Sequence, residues 1–330
     1  MMARVRCKAY VCGTLLVMFV VILNVYRADK LTIHKNINVG VSQWRNFTTT
    51  EHINRLFAET TAANVILPTS FKSHNESIYC ISVSLMKLTF PICIYDPKSD
   101  KAVSGGLMAG KYWEKKEVSR FLQLFRLDRR LQLVDIGANV GLHSLPAARV
   151  TQVISVEPNW LSMARLAKAV YLDGKVSSNI TLVHNAISNI RATLMMGAGW
   201  TNQAHAFLMN KTTCRGRCST VSRTKTILLD DLLSLMRSEA AILKVDVEGH
   251  EDKVFTELSA AQFFNRIDVP LVFMEWNVVK EHSVHNVHRL INFFYNRGYT
   301  VFDTENERLT RHYRTWPTNV LFKKLPLIRF

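Results

Sequence analysis

Residues 131–141 read LQLVDIGANVG, an apolar run that ends in an acidic residue and a glycine-containing turn. Similar apolar runs follow it along the chain, at 152–156, 180–184, 241–247, 270–275 and 318–322. Helical patterns precede or separate several of these runs, at 113–126, 142–150, 160–172, 229–237, 250–259 and 284–296. Near-continuous apolar strands that alternate with helices are typical of a parallel sheet covered on both faces. The sequence therefore predicts a doubly wound α/β domain over residues 111–330.

Ligands of such sheets bind beyond the carboxyl ends of the strands, so the residues after the first strand are candidates for a site. Gly137 and Gly141 permit a tight turn and a close backbone approach to a ligand. Their spacing differs from the G-x-G-x-x-G pattern that binds a pyrophosphate. A ligand with a ribose and an amino-acid end suits the turn better, with Asp135 facing its ammonium group. The alternative is a purely structural turn capped by Asn139.

The second strand ends in Glu157-Pro158. Glu157 follows Asp135 at close to the roughly 20-residue offset at which an acidic residue binds a ribose. The two oxygens of one carboxylate match the two hydroxyls of a ribose. We therefore interpret Glu157 as a ribose-binding residue, although a Glu-Pro pair also serves as an ordinary turn at a strand end.

The fourth strand ends in residues 243–251, LKVDVEGHE. In a strand with period two, Lys244, Asp246 and Glu248 share one face. A buried strand has no structural need for three charges on one face, so they are expected to reach the ligand crevice or to pair with one another. Asp246 and Glu248 are candidate catalytic residues, and His250 is a third candidate that also fits an ordinary helix start.

These blocks together resemble the FkbM-type S-adenosylmethionine-dependent methyltransferases. The resemblance extends over residues 110–325 and includes GKYWE at 110–114, LDDL at 229–232, Glu275 and Gly298-Tyr299. It implies a seven-stranded, mostly parallel Rossmann-like sheet of the class I methyltransferase type, and S-adenosylmethionine as the cofactor. It also implies which residues surround each part of the cofactor. The methionine end would be lined by Asp135, Gly137, Asn139 and Gly141. The ribose would be held by Glu157, and Asn185 and Ala186 would lie near the adenine.

The resemblance further implies methyl transfer to a hydroxyl of a sugar or natural product. A hydroxyl must lose its proton to a base, and we assign this role to Asp246 or Glu248, with His250, His143 and His205 as substitutes. Oxygen ligands from Asp246, Glu248 and Glu275 would suit magnesium, but nothing in their spacing requires a metal, and none is predicted.

Residues 9–26 form an apolar run without a charged residue, long enough as a helix to span roughly 27 Å of a bilayer. Arg4, Arg6 and Lys8 precede it, which places the N-terminus in the cytosol. The sequence predicts a cytosolic tail at 1–8, a signal-anchor at 9–26, a stem and extension at 27–110 and a methyltransferase domain at 111–330. A cleaved signal peptide is the alternative, but the run lacks a small-x-small cleavage site.

The predicted type II topology places the catalytic domain in the lumen of the secretory pathway, with the Golgi preferred. Four cysteines beyond the anchor (Cys80, Cys93, Cys214 and Cys218) fit disulfides of open connectivity. Four N-glycosylation triplets, which begin at Asn46, Asn75, Asn179 and Asn210, agree with this compartment. The sequence therefore predicts a glycoprotein with disulfide bonds.

The net charge of +16 is typical of proteins with anionic partners. A lumenal domain does not meet nucleic acid, so we expect a glycan or another sugar-containing acceptor, and a membrane contact through residues 9–26. Basic residues cluster at Lys211, Arg215, Arg217, Arg223 and Lys225. Two other functions stay open at this point: an inactive, membrane-anchored binding protein with the same fold, and an NAD-dependent oxidoreductase.

Overall fold

The computed structural model describes residues 63–68, 78–199, 202–208 and 218–324, which belong to one unit spanning residues 53–330. The predicted cytosolic tail and signal-anchor, most of the stem, and Cys214 lie outside the described residues. No helix in the described part of the chain is both long enough and apolar enough to span a membrane.

The strands lie at β1 (Val65–Ile66), β2 (Cys80–Leu85), β3 (Leu88–Cys93), β4 (Leu131–Ile136), β5 (Val153–Val156), β6 (Ile180–Val183), β7 (Ala186–Ile187), β8 (Thr193–Gly199), β9 (Asn202–Leu208), β10 (Cys218–Ile227), β11 (Ala240–Val245), β12 (Asp268–Glu275), β13 (Tyr299–Phe302) and β14 (Asn319–Lys324). The α-helices lie at α1 (Val103–Met108), α2 (Lys115–Leu127), α3 (Ser144–Ala147), α4 (Trp160–Asp173), α5 (Glu251–Val254), α6 (Glu257–Arg266) and α7 (Val284–Tyr295). Short 3₁₀ helices occupy Leu229–Leu235, Val279–Glu281 and Tyr313–Thr315.

Eight of the described strands form the main sheet in the order β1-β6-β5-β4-β11-β12-β14-β13. The five strands from β6 to β12 pair in parallel, whereas β14 pairs antiparallel with both β12 and β13. The expected mostly parallel α/β sheet is therefore confirmed. The eighth strand is β1, a two-residue strand that pairs antiparallel with β6 at the edge and that the sequence did not indicate.

Apolar side chains pack on both faces of this sheet. In β4, Leu131 and Leu133 join one core cluster, and Val134 and Ile136 join the other. Helices α2 and α4 contribute to the first cluster, and α6 and α7 contribute to the second. Every residue of β4 is buried, which explains why its sequence is almost continuously apolar.

Strands β2 and β3 form a hairpin whose ends are joined by a disulfide between Cys80 and Cys93. This hairpin lies before residue 111, and Leu85, Phe90 and Ile92 belong to the first core cluster. Residues from the segment interpreted as stem and extension thus form part of the core.

A second sheet, with the order β7-β10-β8-β9, lies between β6 and β11 in the chain. No strands were predicted from the sequence in this region. The helix predicted at 229–237 is a 3₁₀ helix, Leu229–Leu235. The helix predicted at 250–259 is wrong as one element, because Thr256 takes an extended conformation and separates α5 from α6.

Candidate active site

Two clefts adjoin at the carboxyl ends of β4, β5 and β11. The first, here called the glycine cleft, is lined by Gly137, Asn139, Glu157, Asn185, Ala186 and His250, among others. The second, here called the carboxylate cleft, is lined by Trp113, Glu114, His143, Lys244, Glu275 and Asn319, among others. Asn139, Asp246 and Glu248 line both clefts. These three residues therefore mark the junction between the two spaces.

Gly137 brings the turn after β4 against the turn after β11. Its φ angle is +85°, and a β-carbon built on it would lie 1.8 Å from the carbonyl oxygen of Asp246. The Asp246 N–H donates to the carbonyl of Ile136 at 3.0 Å, and the Gly137 N–H donates to the carbonyl of Val156 at 2.9 Å. The sequence predicts a close backbone approach at Gly137, and in the structure the group that approaches it is the Asp246 carbonyl in the loop after β11.

Glu157 lies in the wall of the glycine cleft and accepts two backbone hydrogen bonds. The N–H groups of Asn139 and Asn159 donate to its two carboxyl oxygens, each at 2.7 Å. Burial raises the pKa of Glu157 to about 7, although the two N–H donors act in the opposite direction. Each oxygen keeps a further lone pair for another donor, so the geometry fits a ligand that carries hydroxyls.

Asn185 and Ala186 line the same cleft. The Asn185 side chain accepts from the Asn64 N–H at 2.7 Å and donates to the Lys225 carbonyl at 3.1 Å. It therefore links β1, β7 and β10 around the cleft, a role that its position in the sequence did not indicate.

His250 lines the glycine cleft, and it is absent from the lining of the carboxylate cleft. Its Nε2 lies 3.0 Å from the Ser188 hydroxyl. Burial lowers the pKa of His250 to about 4, so the imidazole is neutral at physiological pH. His250 thus shares the glycine cleft with Asp246 and Glu248, the two other residues predicted to be catalytic, but unlike them it does not reach the carboxylate cleft.

Asp135 and Gly141 do not line either cleft. Asp135 is completely buried, accepts a hydrogen bond from the Ser144 hydroxyl at 2.6 Å, and lies 3.7 Å from the Lys244 ammonium group. A β-carbon on Gly141 would lie 2.5 Å from a methyl group of Leu166. Both residues are buried beside the turn that follows β4.

Lys244 lies between the buried Asp135 and the junction residue Asp246. Its ammonium group donates to the Gly137 carbonyl at 3.1 Å and to the Asp246 carboxylate at 3.3 Å. Two of the three charges predicted on one face of β11 thus pair with each other. Strand β11 ends at Val245, and Glu248 has a φ angle of +55°, so the period-two alternation does not reach Glu248.

Asp246, Glu248 and Glu275 each offer a carboxyl oxygen, and these atoms lie within 4.8 Å of one another. Burial raises the pKa of Glu275 to about 9, and the charges of Asp246 and Glu248 add to this effect. Glu275 is therefore protonated at neutral pH and can donate a hydrogen bond to Asp246. The set has the oxygen ligands that a divalent cation uses.

Four residues of the carboxylate cleft come from distant parts of the chain: Trp113, Glu114, His143 and Asn319. The Asn319 amide donates to one Glu114 oxygen at 2.8 Å, and His143 Nε2 lies 3.5 Å from the other. The sequence indicated His143 only as a substitute base, and it gave Trp113 and Glu114 no role beyond the 110–114 motif. Nothing in the sequence pointed to Asn319. The side chain of His205 lies outside the described part of the chain.

The strand order and the glycine turn define a Rossmann-like α/β protein, and its two clefts lie at the carboxyl ends of the strands, where such sheets bind ligands. The family profile described as "Methyltransferase FkbM domain" matches residues 135–301, and the chain belongs to this family of S-adenosylmethionine-dependent methyltransferases. The resemblance inferred from the motifs is thereby confirmed at the level of the family.

Solved structures similar to the chain include the methyltransferase FkbM from Methylobacillus flagellatus KT, at 16% identity and a TM-score of 0.38. The similarity covers 58% of this chain and 43% of that one. A second is an S-adenosylmethionine-dependent O-methyltransferase from Thermotoga maritima, at 9% identity, a TM-score of 0.34 and coverage of 74% and 77%. A third is the S-adenosylhomocysteine-bound methyltransferase PaMTH1 from Podospora anserina, at 7% identity, a TM-score of 0.34 and coverage of 88% and 99%. No curated protein sequence matches the chain significantly.

Proposed function

We propose that the protein is an S-adenosylmethionine-dependent O-methyltransferase that binds its cofactor in the glycine cleft and its acceptor in the carboxylate cleft. The observation that carries the proposal is the junction of the two clefts at Asn139, Asp246 and Glu248. Methyl transfer is an in-line displacement, so the sulfonium methyl group and the acceptor oxygen must meet at one point. The junction is such a point.

In the glycine cleft, the Glu157 carboxyl would bind the ribose hydroxyls, and Gly137 and Asn139 would lie along the methionine end. Ala186 and His250 would flank the adenine. The cofactor supplies an activated methyl group when it is bound. The backbone contact at Gly137 and the two hydrogen bonds of Glu157 fix the positions of these residues in the cleft wall.

At the junction, Asp246 and Glu248 are placed to take the proton of the acceptor hydroxyl. The bound cofactor would supply the methyl group and leave as S-adenosylhomocysteine, so that the acceptor would become a methyl ether. One of the two carboxylates would take the proton of the acceptor hydroxyl and return it to water. His250 lies on the cofactor side, so its role in this proposal is to bind the cofactor.

We place this activity in the secretory pathway, on a glycan or another sugar-containing acceptor, with residues 9–26 as a type II anchor. The disulfide between Cys80 and Cys93 supports this location, because such bonds persist in oxidising compartments. Of the four glycosylation triplets, only Asn179 lies in the described part of the chain, and its amide donates to the Ala148 carbonyl. Protease protection in microsomes and peptide mapping without reductant test the location and the pairing.

The decisive test is titration of the purified full-length chain with S-adenosylmethionine and with NAD, followed by transfer of a labelled methyl group to glycan acceptors. We expect binding of S-adenosylmethionine alone. Asp246→Asn or Glu248→Gln should lower turnover about 10²–10⁴-fold with cofactor affinity preserved, and the exposed Glu307→Gln serves as the control.

Retained turnover in both junction variants would remove the assignment of the base. Binding of S-adenosylmethionine without transfer to any acceptor would identify an inactive binding protein, and preferential binding of NAD would contradict the proposed cofactor.

A further inference from the structure

The carboxylate cleft is lined by an aromatic side chain, Trp113, that has no role in the proposed methyl transfer itself. Trp113 lines this cleft and is 53% exposed. A tryptophan ring offers a broad, rigid apolar surface on which a ligand can pack. In this cleft the ring faces the same space as the junction residues Asp246 and Glu248. An acceptor bound at the junction therefore has an apolar surface beside it.

His143 adds a polar group to the same wall. Its side chain is only 4% exposed, and among the described residues Nε2 has no hydrogen-bond partner, with the Glu114 oxygen Oε2 at 3.5 Å. Burial lowers the pKa of His143 well below its usual value, so the ring is neutral. Because Nε2 is closed to solvent, a hydroxyl in the cleft reaches the Glu114 carboxyl, and His143 packs beside that carboxyl.

The charges in the cleft limit which acceptors fit. Four carboxyl groups line it, those of Glu114, Asp246, Glu248 and Glu275, whereas the Lys244 ammonium group is bound to Gly137 and Asp246. An anionic acceptor would therefore meet carboxyl oxygens without a free cation among the described lining residues. This contrasts with the net charge of +16 for the whole chain.

A cationic acceptor is disfavoured for a different reason. The Lys244 ammonium group lines the cleft and donates to Asp246 at 3.3 Å, so a second cation at the junction would meet it. The Asn319 amide already donates to one Glu114 oxygen at 2.8 Å, and burial raises the pKa of Glu114 to about 7, which lowers the negative charge of this carboxyl at neutral pH. Protonated carboxyl groups donate and accept hydrogen bonds, which suits hydroxyl partners.

Resting on the proposed function, we propose that the carboxylate cleft binds an uncharged sugar ring against Trp113, with one hydroxyl bound to the Glu114 carboxyl. The hydroxyl to be methylated then lies at Asp246 and Glu248. Trp113 and Glu114 are in this view the residues that select the acceptor, and His143 is a positioning residue beside Glu114. Asn319 is a positioning residue, because its amide fixes one oxygen of Glu114.

The test compares acceptors whose charge is removed at the same position of the ring. The full-length chain is given labelled S-adenosylmethionine and a panel of p-nitrophenyl hexopyranosides, with each uronic acid beside its neutral uronamide and each amino sugar beside its neutral N-acetyl derivative. We expect the neutral glycosides to be methylated at least about tenfold faster at equal concentration, a difference of roughly 1.4 kcal/mol. Equal or faster transfer to the uronic acids or the amino sugars would overturn the proposal.

Variants test the residues. Trp113→Ala should raise the KM for the acceptor about tenfold, within the range for aromatic contacts, and leave kcat and cofactor affinity nearly unchanged. His143→Gln and Glu114→Gln should also act on KM. The exposed Tyr79→Ala, outside both clefts, is the matched control for the loss of an exposed ring. Because Trp113 is exposed, its replacement tests the cleft even if the His143 variant does not fold.

The outcomes separate this inference from the proposed function. If the wild-type chain does not bind S-adenosylmethionine, the proposed function is contradicted. Intact cofactor binding with an unchanged acceptor KM in Trp113→Ala would contradict the sugar site alone. Transfer to some other hydroxyl compound but to no neutral glycoside would overturn the sugar site and leave the proposed methyl transfer intact.

Discussion

The α-carbon of Gly137 and the carbonyl oxygen of Asp246 are packed so closely that no β-carbon fits between them: one built on Gly137 would lie 1.8 Å from that oxygen. The first residue of the β4 turn and the first residue after β11 thus form one backbone unit. Both residues line the glycine cleft together with Glu157.

Gly137→Ala should therefore displace the β11 turn and abolish cofactor binding. The matched control is Gly298→Ala, because Gly298 also has a positive φ angle but has no atom within 4 Å of the position that an alanine methyl group would take. The control should lose only about 1 kcal/mol, the cost of the strained backbone. Calorimetric titration with S-adenosylmethionine and thermal unfolding measure both effects. Equal behaviour of the two variants would show that the contact with Asp246 is unimportant.

Lys244→Met should destabilise the fold by about 3–5 kcal/mol, because it leaves Asp135 buried without its cation. The double variant Asp135→Asn with Lys244→Met removes both charges and should recover part of this loss, since an asparagine can still accept from Ser144. Urea unfolding of the two single variants and the double variant measures the coupling. Additive losses would contradict the pairing.

His250→Asn should raise the dissociation constant for S-adenosylmethionine about tenfold, equivalent to the loss of roughly one hydrogen bond, and leave kcat unchanged. Because burial holds the pKa of His250 near 4, its ionisation should not contribute to the kcat profile between pH 6 and 9. Ser188→Ala, which removes the hydroxyl beside Nε2, should have a smaller effect in the same direction. A large fall in kcat at unchanged affinity would instead assign His250 to the transfer step.

Glu251 should make the fold less stable as the pH rises. Its carboxyl accepts from the N–H groups of Val247 and Gly249, and burial raises its pKa to about 8. In the unfolded chain the pKa is about 4.3. The stabilisation by the protonated group is complete below about pH 4.3 and is lost as the pH rises through about 8. Urea unfolding from pH 5 to pH 9 measures this slope.

Glu251→Gln keeps an oxygen acceptor and cannot ionise, so its unfolding free energy should fall less steeply over that interval. The exposed Glu307→Gln should retain the wild-type slope. An unchanged slope in Glu251→Gln would show that other groups cause the pH dependence.

Removal of divalent metal should not change methyl transfer. The proton on Glu275 reduces the charge of the cluster with Asp246 and Glu248, which lessens the need for a cation. Transfer assayed with and without EDTA, after dialysis against the chelator, checks this prediction. Loss of activity that magnesium restores would show that the cluster holds a metal.

The main sheet could be predicted because each of its parallel strands is a short apolar run, which can be read from neighbouring residues alone. The six apolar runs became β4, β5, β6, β11, β12 and β14, with ends shifted by at most a few residues. Strands β7 to β10 were not predicted, because their stability comes from pairing with one another and not from an apolar pattern. The same holds for β1, whose two residues form a strand only because β6 offers a free edge.

The gathering of most predicted site residues in one cleft could be predicted from the sequence. Gly137, Asn139, Glu157, Asn185, Ala186, Asp246, Glu248 and His250 all line the glycine cleft. They follow strand ends, and parallel strands bring those ends to one edge of the sheet. Asp135 precedes the turn on a strand that is buried along its whole length, and for this reason it contacts Lys244 instead of the cleft.

The sequence by itself thus determined the family, the class of fold and the edge of the sheet that carries the site, because strand period, strand ends and motif order are properties of neighbouring residues. Only the tertiary structure decided that Glu114, His143 and Asn319 meet, that His250 belongs to one cleft and not to both, and that Lys244 turns inward. Those contacts join residues far apart in the chain. The packing that creates them also buries the carboxyl groups and sets their pKa values, and no local pattern encodes that burial.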